Sequence, residues 1–318
     1  MPRVAALQDA PVFLDRRATL ERLLEWVERA TDEGVELLAC GETYLPGYPF
    51  WLSHTGAAAF DEPTQKEAYR RYLEAAVRLD GPEIRELEVV SRSSRIALVV
   101  GIAERGPGPA SGSVFCSAVT IDPDRGVLAA HRKLMPTYEE RLVWAPGDGH
   151  GLRVHTLCGL RVGVLNCWEN WMPQARHALY GDGEELRVAL WPGAVRNTVD
   201  ITRFIALEGR VFVLSAGGLL AVDDVPDDFP LRDRLPVDRT WYHNGGSCVA
   251  APDGRWLVEP VAQTKGLIVA DIDPRLVSRE RQNFDCTGHY SRPDVFDVRV
   301  DRRRRQSVTF LDEDALPE

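Results

Sequence analysis

Strands joined by helices and strands joined by tight turns both occur in this sequence, and this mixture restricts the fold more than any other feature. Residues Val4 to Gln8 form a predicted strand, Thr19 to Ala30 have the i, i+3, i+4, i+7 apolar spacing of an amphipathic helix, and Val35 to Cys40 form a second strand. By contrast, Asp122-Pro123-Asp124-Arg125-Gly126 is typical of a hairpin turn. A chain with both connections is expected to form mixed sheets.

The number of predicted strands also points to more than one sheet. Further strands are predicted over 96–102, 114–121, 127–131, 152–157, 160–165, 187–191, 211–215, 247–251, 256–260 and 266–272. Further helices are predicted over 64–79, 83–94, 200–208 and 274–282. Residues 41–52 are predicted to form a loop. About a dozen strands are more than one open sheet usually carries. We therefore expect two sheets packed face to face, with helices outside each.

Charge and hydropathy exclude several classes of partner. The 318 residues carry a formal net charge of −10, whereas nucleic-acid binding requires clustered Lys and Arg. The one dense basic run, Arg302 to Arg305, lies next to an acidic tail and is interpreted as a solvated terminal segment. The sequence contains neither an apolar run of membrane-spanning length nor an apolar signal segment after Pro2 and Arg3. We expect a cytoplasmic protein with no nucleic-acid or membrane partner.

The cysteine pattern and the glycine motifs bear on cofactors. Six cysteines are scattered without CxxC pairs, which argues against a zinc site and a disulfide framework. No GxGxxG sequence follows the first strand, and no Walker loop is present. The sequence therefore predicts no metal and no cofactor.

Cys167 is notable because an apolar strand leads directly to it. Residues Leu160 to Leu165 precede Asn166 and Cys167, and an amphipathic stretch from Met172 to Tyr180 follows. A cysteine at a strand-to-helix turn lies near unpaired backbone N–H groups and the positive end of a helix dipole, which favour the nucleophilic thiolate. The alternative is a buried structural cysteine, and position alone favours that alternative.

Two charged residues also follow predicted strands. Glu42 comes after the strand that ends at Cys40 and precedes the aromatic segment Tyr44 to Trp51, a setting that could raise its pKa and suit a general base. Lys133 follows the strand that ends at His131, and its ammonium could stabilise a developing negative charge. By itself, Glu42 is better explained as an ordinary solvated glutamate, and the alternative for Lys133 is a surface lysine, although lysines are few in this chain.

Three segments that contain these residues closely resemble the nitrilase superfamily, and most of all its nitrilase branch. They are Gly41 to Trp51, His131 to Arg141, and Asn166 to Pro173, with supporting stretches over 191–193, 206–210, 244–247 and 288–294. The resemblance covers residues 3 to 298, and three motifs in this order, each at the end of a strand, are specific. It implies an α/β fold, a four-layer αββα sandwich of two mixed β-sheets with outer helices, and a catalytic triad of Glu42, Lys133 and Cys167.

The resemblance also implies further site residues. A second active-site glutamate is expected after the lysine, and Glu140 matches it, with Glu139 as the neighbouring alternative. The backbone N–H of Trp168 matches a donor that stabilises negative charge. Aromatic side chains near these motifs, Tyr48, Trp168 and Trp191 among them, could line a pocket for an aliphatic or aryl nitrile. Packing of the core is an equal alternative for any one of them.

The activity implied is hydrolysis of an organic nitrile to a carboxylic acid and ammonia through a thioimidate and a thioester on Cys167. An amidase or carbamoylase, or an enzyme that degrades cyanide, would have the same triad and fold. A non-catalytic sandwich is the alternative from a different class. The sequence does not identify the side chain of the preferred nitrile.

The resemblance also implies homodimers or larger homo-oligomers, including spirals. We predict a single domain over residues 1–299 and a charged C-terminal tail over 300–318 that is poorly ordered or reaches a neighbour. Candidate interface segments are Pro173 to Tyr180 and the acidic, proline-rich segment Asp223 to Pro236, which we expect to be an exposed insertion.

Overall fold

The computed structural model describes residues 1–305 and residue 308, in which the strands form one six-stranded and one seven-stranded sheet. In chain order the strands are β1 (Arg3–Gln8), β2 (Leu37–Leu45), β3 (Ala97–Arg105), β4 (Val114–Asp122), β5 (Gly126–Arg132), β6 (His155–Leu157), β7 (Leu160–Asn166), β8 (Leu186–Trp191), β9 (Phe212–Gly217), β10 (Leu219–Ala221), β11 (Trp241–Ala250), β12 (Trp256–Ala262) and β13 (Gly266–Asp271). The helices are α1 (Arg16–Asp32), α2 (Pro63–Ala75), α3 (Pro82–Ser94), α4 (Pro173–Gly181), α5 (Val195–Gly209) and α6 (Arg275–Arg281).

Both sheets are mixed, as the sequence predicts. The first has the order β13-β1-β2-β3-β4-β5, with β1, β2 and β3 parallel and the other pairs antiparallel. The second has the order β10-β11-β9-β8-β7-β6, with β12 also paired to β11. Its central strands β7, β8 and β9 are parallel. The side chains described below lie within β2 or directly after β5 and β7.

The two sheets pack against each other, and helices cover their outer faces. In β1, Val4 and Ala6 join a core with residues of the second sheet, whereas Ala5 and Leu7 join a core with α1 and α3. This alternation is the two-residue period of a strand that is buried on both faces. In the second sheet, α5 covers the outer face through a core that includes Trp191. The predicted αββα sandwich is confirmed.

The predicted loop over 41–52 is wrong at its beginning, because β2 continues to Leu45. Its pairing with β3 is irregular between Cys40 and Leu45, and Thr43 has a φ of 45°. Here β2 lies so close to β3 that a Cβ on Gly101 would be 2.1 Å from the carbonyl oxygen of Gly41. The irregular pairing interrupts the alternation by which strands are predicted.

Two other expectations also need correction. The predicted strand 152–157 is shorter in the structure, where β6 covers only His155–Leu157. It begins later than predicted because a short 3-10 turn at Gly149–Gly151 precedes it. The segment Asp223 to Pro236 is not a wholly exposed insertion, because four of its apolar side chains are buried in a core with Trp51. They are Val225, Phe229, Leu231 and Leu235.

The described part of the C-terminal tail lies against its own domain. Arg304 pairs with Asp148 at 3.2 Å and donates to the carbonyl of Ala130 at 2.8 Å, and Arg302 pairs with Asp182 at 3.0 Å. This segment is therefore neither simply solvated nor directed away from the domain. Residues 306, 307 and 309–318 of the predicted tail lie outside the described residues. No helix in the described part of the chain has the length and apolar character to cross a membrane.

Candidate active site

The three residues of the predicted triad come from three strands and two sheets. Glu42 lies in the irregular part of β2, Lys133 directly follows β5, and Cys167 directly follows β7. All three are buried, with 1 or 2 % of each residue exposed. One oxygen from each of Glu42 and Glu140 and the sulfur of Cys167 lie within 4.8 Å of one another. The fold therefore brings together residues that are far apart in the sequence.

Cys167 occupies a sharp turn between strand and helix. Its φ of 49° is in the left-handed region, which non-glycine residues seldom adopt and which is found at strained functional positions. A 3-10 turn covers Cys167–Trp171, and α4 begins at Pro173. The backbone N–H of Trp168 donates to the sulfur and acts to lower its pKa.

Glu169 fixes this turn against the end of β5. Its carboxylate accepts from the backbone N–H of Asn166 at 2.9 Å and of Leu134 at 2.6 Å, and it lies 3.0 Å from Nε2 of His131. Because Leu134 follows Lys133 and Asn166 precedes Cys167, one buried carboxylate connects the backbones that carry the lysine and the cysteine. The sequence analysis did not identify this role. The signal was the spacing of Asn166 and Glu169, which form a capping box.

Lys133 bridges two carboxylates. Its ammonium donates to Oε1 of Glu42 at 2.9 Å and to Oε2 of Glu140 at 2.6 Å. The hydroxyl of Tyr48 donates to the other oxygen of Glu140 at 2.7 Å. Glu140, and not Glu139, is thus the neighbour of the lysine. Burial alone would lower the pKa of Lys133, but the negative groups around it outweigh burial and raise the pKa, so the lysine is an ammonium.

Glu42 has the properties of a general base. Burial raises its pKa, Lys133 lowers it and Glu140 raises it, and the result is about 7. Its Oε1 is bonded to Lys133 and accepts from the thiol of Cys116 at 3.4 Å. Its Oε2 is buried and has no hydrogen-bond partner among the described residues. A buried acceptor without a partner is costly in a resting protein, and it is available to take up a proton.

The pKa of Cys167 corrects the expectation of a resting thiolate. Burial raises the pKa of this thiol well above its ordinary value, and the negative charge of Glu42 raises it further. Lys133 and the Trp168 N–H oppose these effects without reversing them. The resting cysteine is therefore a neutral thiol, and it becomes nucleophilic only as a base removes its proton.

The same donor atoms also satisfy a distance criterion for a metal site. Glu42, Glu140 and Cys167 could supply two carboxylate oxygens and a sulfur. However, the ammonium of Lys133 already bonds to both carboxylates, and a metal ion would have to displace it. The donor set is better explained by the lysine than by a metal ion.

A cavity of about 580 Å³ opens onto Cys167. This volume is typical of small-molecule sites. Tyr48, Glu140 and Trp168 line it. Other charged or polar lining residues are Glu139, His54, Arg196, Arg239 and His243. The ring of Trp168 is half exposed and lies 6.1 Å from that of Trp171. Tyr48 and Trp168 are therefore placed where we expected substrate-binding residues.

Trp191 lies elsewhere. It is fully buried in the core beneath α5 that also contains Cys167, and it does not line the cavity. Its indole N–H is 3.3 Å from the hydroxyl of Ser215. The structure places this side chain behind the cysteine, and we assign it to packing.

A second charged pair lies behind the cysteine turn. Glu184 and Arg187 are fully buried and form two hydrogen bonds of 2.6 and 2.7 Å. Arg187 also lies 3.4 Å from the amide oxygen of Asn170, whose amide nitrogen donates to the carbonyl of Cys167 at 3.0 Å. In the sequence, Arg187 is predicted only as the start of a strand.

Comparisons with known proteins show the family to which the chain belongs. The protein-family model for carbon–nitrogen hydrolases matches residues 3–282. Similar proteins include a protein named Nitrilase 2 from an unknown prokaryotic organism, 35 % identical over 96 % of this chain and 95 % of that protein. Others are Nitrilase 1 of Arabidopsis thaliana, 34 % identical over 97 % and 89 %, and an aliphatic nitrilase of Rhodococcus rhodochrous, 32 % identical over 98 % and 82 %.

Solved structures support the fold. A carbon–nitrogen hydrolase from Helicobacter pylori G27 superimposes with a TM-score of 0.69 at 17 % identity, covering 92 % of this chain and 96 % of that one. An amidase from Nesterenkonia sp. gives a TM-score of 0.63 at 22 % identity, covering 89 % and 94 %. The family model and the nitrilase-named relatives define a hydrolase of carbon–nitrogen bonds. The chain belongs to the carbon–nitrogen hydrolase family.

Proposed function

We propose that this enzyme is a nitrilase that converts an organic nitrile and two water molecules into a carboxylic acid and ammonia. The observation that carries the proposal is the convergence of Glu42, Glu140 and Cys167 within 4.8 Å, with Lys133 bonded to both carboxylates. The names of the relatives at 31 to 35 % identity support nitriles as the substrate class.

The first chemical step forms a covalent bond between the enzyme and the nitrile carbon. Glu42 takes the thiol proton as the sulfur of Cys167 adds to the carbon, and this proton passes to the nitrogen to give a thioimidate. Lys133 and the Trp168 N–H stabilise the negative charge that develops on the nitrogen. Such fixed donors are effective because they need no reorganisation during the reaction.

Two hydrolytic steps complete the reaction. Glu42 removes a proton from water as the water oxygen adds to the thioimidate carbon, and it passes this proton to the nitrogen. The remaining proton of the added water also moves to the nitrogen as the C–N bond breaks, which releases ammonia and leaves a thioester. A second water then cleaves the thioester, giving the carboxylic acid and restoring the thiol. Glu140 holds the ammonium of Lys133 in place through its 2.6 Å bond, and Tyr48 orients Glu140.

The test is a measurement of ammonia and acid release by the purified enzyme over aliphatic, aryl and arylacetonitriles, each paired with the corresponding amide, with cyanide as an added substrate. We expect faster turnover of nitriles than of amides, and none by Cys167→Ala. Faster turnover of the amides would favour the amidase alternative. Nitrile turnover by Cys167→Ala would refute the assignment of the nucleophile.

We also propose a homo-oligomer assembled through the outer face of α5, together with the adjacent α4. Apolar side chains on this face are exposed, among them Phe204 and Leu207 at 46 and 41 %. Exposed apolar patches of this kind often mark protein interfaces. Size-exclusion chromatography should show more than one subunit, and Phe204→Glu should shift the protein towards the monomer. Residence in the cytoplasm and a single domain over residues 1–299 stay predictions.

A further inference from the structure

The two ends of the cavity carry different charges. At the inner end, Glu42 and Glu140 share the single ammonium of Lys133. Nearer the solvent, the charged residues that line the cavity are the exposed Arg196 and Arg239 and the partly buried Glu139, so cations are in excess there. A substrate that reaches Cys167 with its reacting carbon places its far end among these arginines.

Arg196 is unusual for an arginine of this chain. The protein has a net charge of −10, and most of its described arginines bond to a carboxylate or a carbonyl. Arg196 lines the cavity, but no carboxylate of the described residues lies within ion-pair distance of it. It is also in the first turn of α5, where a cation opposes the helix dipole. Arg196 is exposed, and neither an ion pair nor the helix dipole stabilises it at this position.

The backbone around Arg196 also favours an anion. The first turn of α5 contains no acidic residue, and Ala194 at its N-cap provides no side-chain hydrogen bond. Ala194 and Asn197 line the same cavity. The N-terminal end of this 15-residue helix therefore presents the positive end of its dipole to the cavity without a capping side chain.

Arg239 lies on a different segment and lines the same cavity. Its one ion pair among the described residues is a 3.9 Å contact with the adjacent and exposed Asp238. Because this pair is long and solvated, it contributes little and leaves the guanidinium available. Arg239 is also 6.0 Å from the ring of Tyr242, which lines the cavity as well.

Both arginines affect the pKa values of histidines that line the cavity. Burial lowers the pKa of His54, and Arg239 lowers it further. Burial lowers the pKa of His243 to about 4, with contributions from His54 and Arg196. Both imidazoles are therefore neutral near pH 7, and Nε2 of His243 is a buried atom with no partner among the described residues. A substrate group beside these neutral imidazoles would be exposed to the positive potential of both arginines.

We propose that the nitrile substrate carries an anionic group, a carboxylate, at the end opposite the nitrile, and that Arg196 and Arg239 bind this group. The inference rests on the nitrilase function proposed above. Arginine suits the role because its planar guanidinium donates two parallel hydrogen bonds to a carboxylate. The two arginines determine specificity and do not take part in the chemistry at Cys167.

The test compares three nitriles of similar length that differ in terminal charge: 4-cyanobutanoate, 5-hydroxypentanenitrile and 5-aminopentanenitrile. We expect kcat/KM to be at least about tenfold higher for the anion than for the neutral alcohol, and lowest for the cation. Most of the difference should be in KM, because the arginines contact the substrate far from the reacting carbon. Added salt should reduce the preference, since the arginines are exposed.

The selectivity for the anion is the ratio of its kcat/KM to that of the alcohol. Arg196→Gln and Arg239→Gln should each lower this ratio several-fold. Arg196→Glu should reverse the preference, so that the amine becomes the best substrate. The matched control is Arg279→Gln, which removes an exposed arginine on α6 that has no ion pair among the described residues. It should leave the ratio unchanged. Circular dichroism of each variant checks that the fold is retained.

Binding to Cys167→Ala, measured by calorimetry, separates this inference from the proposed function. Tighter binding of the anion than of the alcohol, with loss of the difference in Cys167→Ala/Arg196→Gln, supports anion recognition. Equal binding, or turnover of all three nitriles at similar kcat/KM, overturns the inference and leaves the nitrilase function intact. Turnover of amides with no nitrile turnover refutes the nitrilase function, and the calorimetry still decides whether the cavity selects an anion.

Discussion

Two of the buried charged clusters close to Cys167 differ in the ratio of carboxylates to cations. In the cluster behind the cysteine turn, one carboxylate, Glu184, meets one guanidinium, Arg187, through two hydrogen bonds. In the cluster beside the thiol, Glu42 and Glu140 share the ammonium of Lys133, and Oε2 of Glu42 has no partner among the described residues. The matched pair holds backbone in place, whereas the unmatched cluster retains an acceptor for chemistry.

The largest effect is expected from Glu42→Gln, which removes the base and leaves the size of the side chain unchanged. We expect kcat/KM to fall by about 10³- to 10⁴-fold, because general-base catalysis commonly contributes up to this amount. Ammonia-release kinetics measure the loss. Glu36→Gln, at an exposed position just before the same strand, serves as the control. A loss of less than tenfold in Glu42→Gln would show that another group removes the proton.

Arg187→Met tests the matched pair. Removal of this guanidinium leaves Glu184 buried and uncompensated, so we expect the free energy of unfolding to fall by about 3–5 kcal/mol. Urea denaturation measures the change. The double substitution Glu184→Met/Arg187→Met should recover most of the stability, because neither charge then remains buried. Arg275→Met removes an exposed arginine that is paired with Asp273, and it should cost less than about 1 kcal/mol.

Lys133→Met is the equivalent change in the unmatched cluster. We expect kcat/KM to fall by about 10²- to 10³-fold, the usual cost of one fixed donor to a developing negative charge. The free energy of unfolding should fall less than in Arg187→Met. Glu42 has a pKa of about 7, so it can bind a proton near neutral pH and become neutral. Lys66→Met, at an exposed lysine, is the control. Comparable destabilisation by Lys133→Met and Arg187→Met would contradict the distinction between the two clusters.

The smallest change is expected in the pH dependence of kcat/KM. Glu42 acts as a base only when ionised, and its pKa is about 7, so kcat/KM should rise with pH through this value. The charge of Glu140 raises this pKa, and Glu140→Gln should therefore move the acid limb to lower pH. Glu139→Gln, which removes a carboxylate that has no bond to Lys133, should leave the limb in place. An unchanged acid limb in Glu140→Gln would mean that the charge of Glu140 does not affect the pKa of Glu42.

Much of the fold could be predicted because strand signals are local. Period-two burial, hairpin turns and the α1 stripe depend on neighbouring residues, and the strand ends that carry Lys133 and Cys167 follow from the same patterns. The extension of β2 through Glu42 was missed because it depends on a close approach to Gly101 in another strand. Patterns within one segment do not report such long-range packing.

The residues that hold the side chains of the site in position were also not predicted from the sequence, for a related reason. Glu169, His131 and Arg187 act through partners that the fold brings to them, and their own positions in the sequence resemble ordinary charged or polar residues. The aromatic residue Trp191 was expected at the cavity, yet it points into the layer beneath α5. Proximity in sequence to the cysteine does not determine which face of a strand a side chain occupies.

The triad is divided between the sheets, with Glu42 and Lys133 on one and Cys167 on the other. Its reacting distances are therefore set by the thickness of the interlayer core, where small side chains such as Ala6 and Ala39 oppose larger ones such as Leu190 and Leu214. A bulkier residue in place of one of these alanines would widen the sandwich and separate base from thiol. Mutations of these buried side chains thus have a direct route to the rate of catalysis.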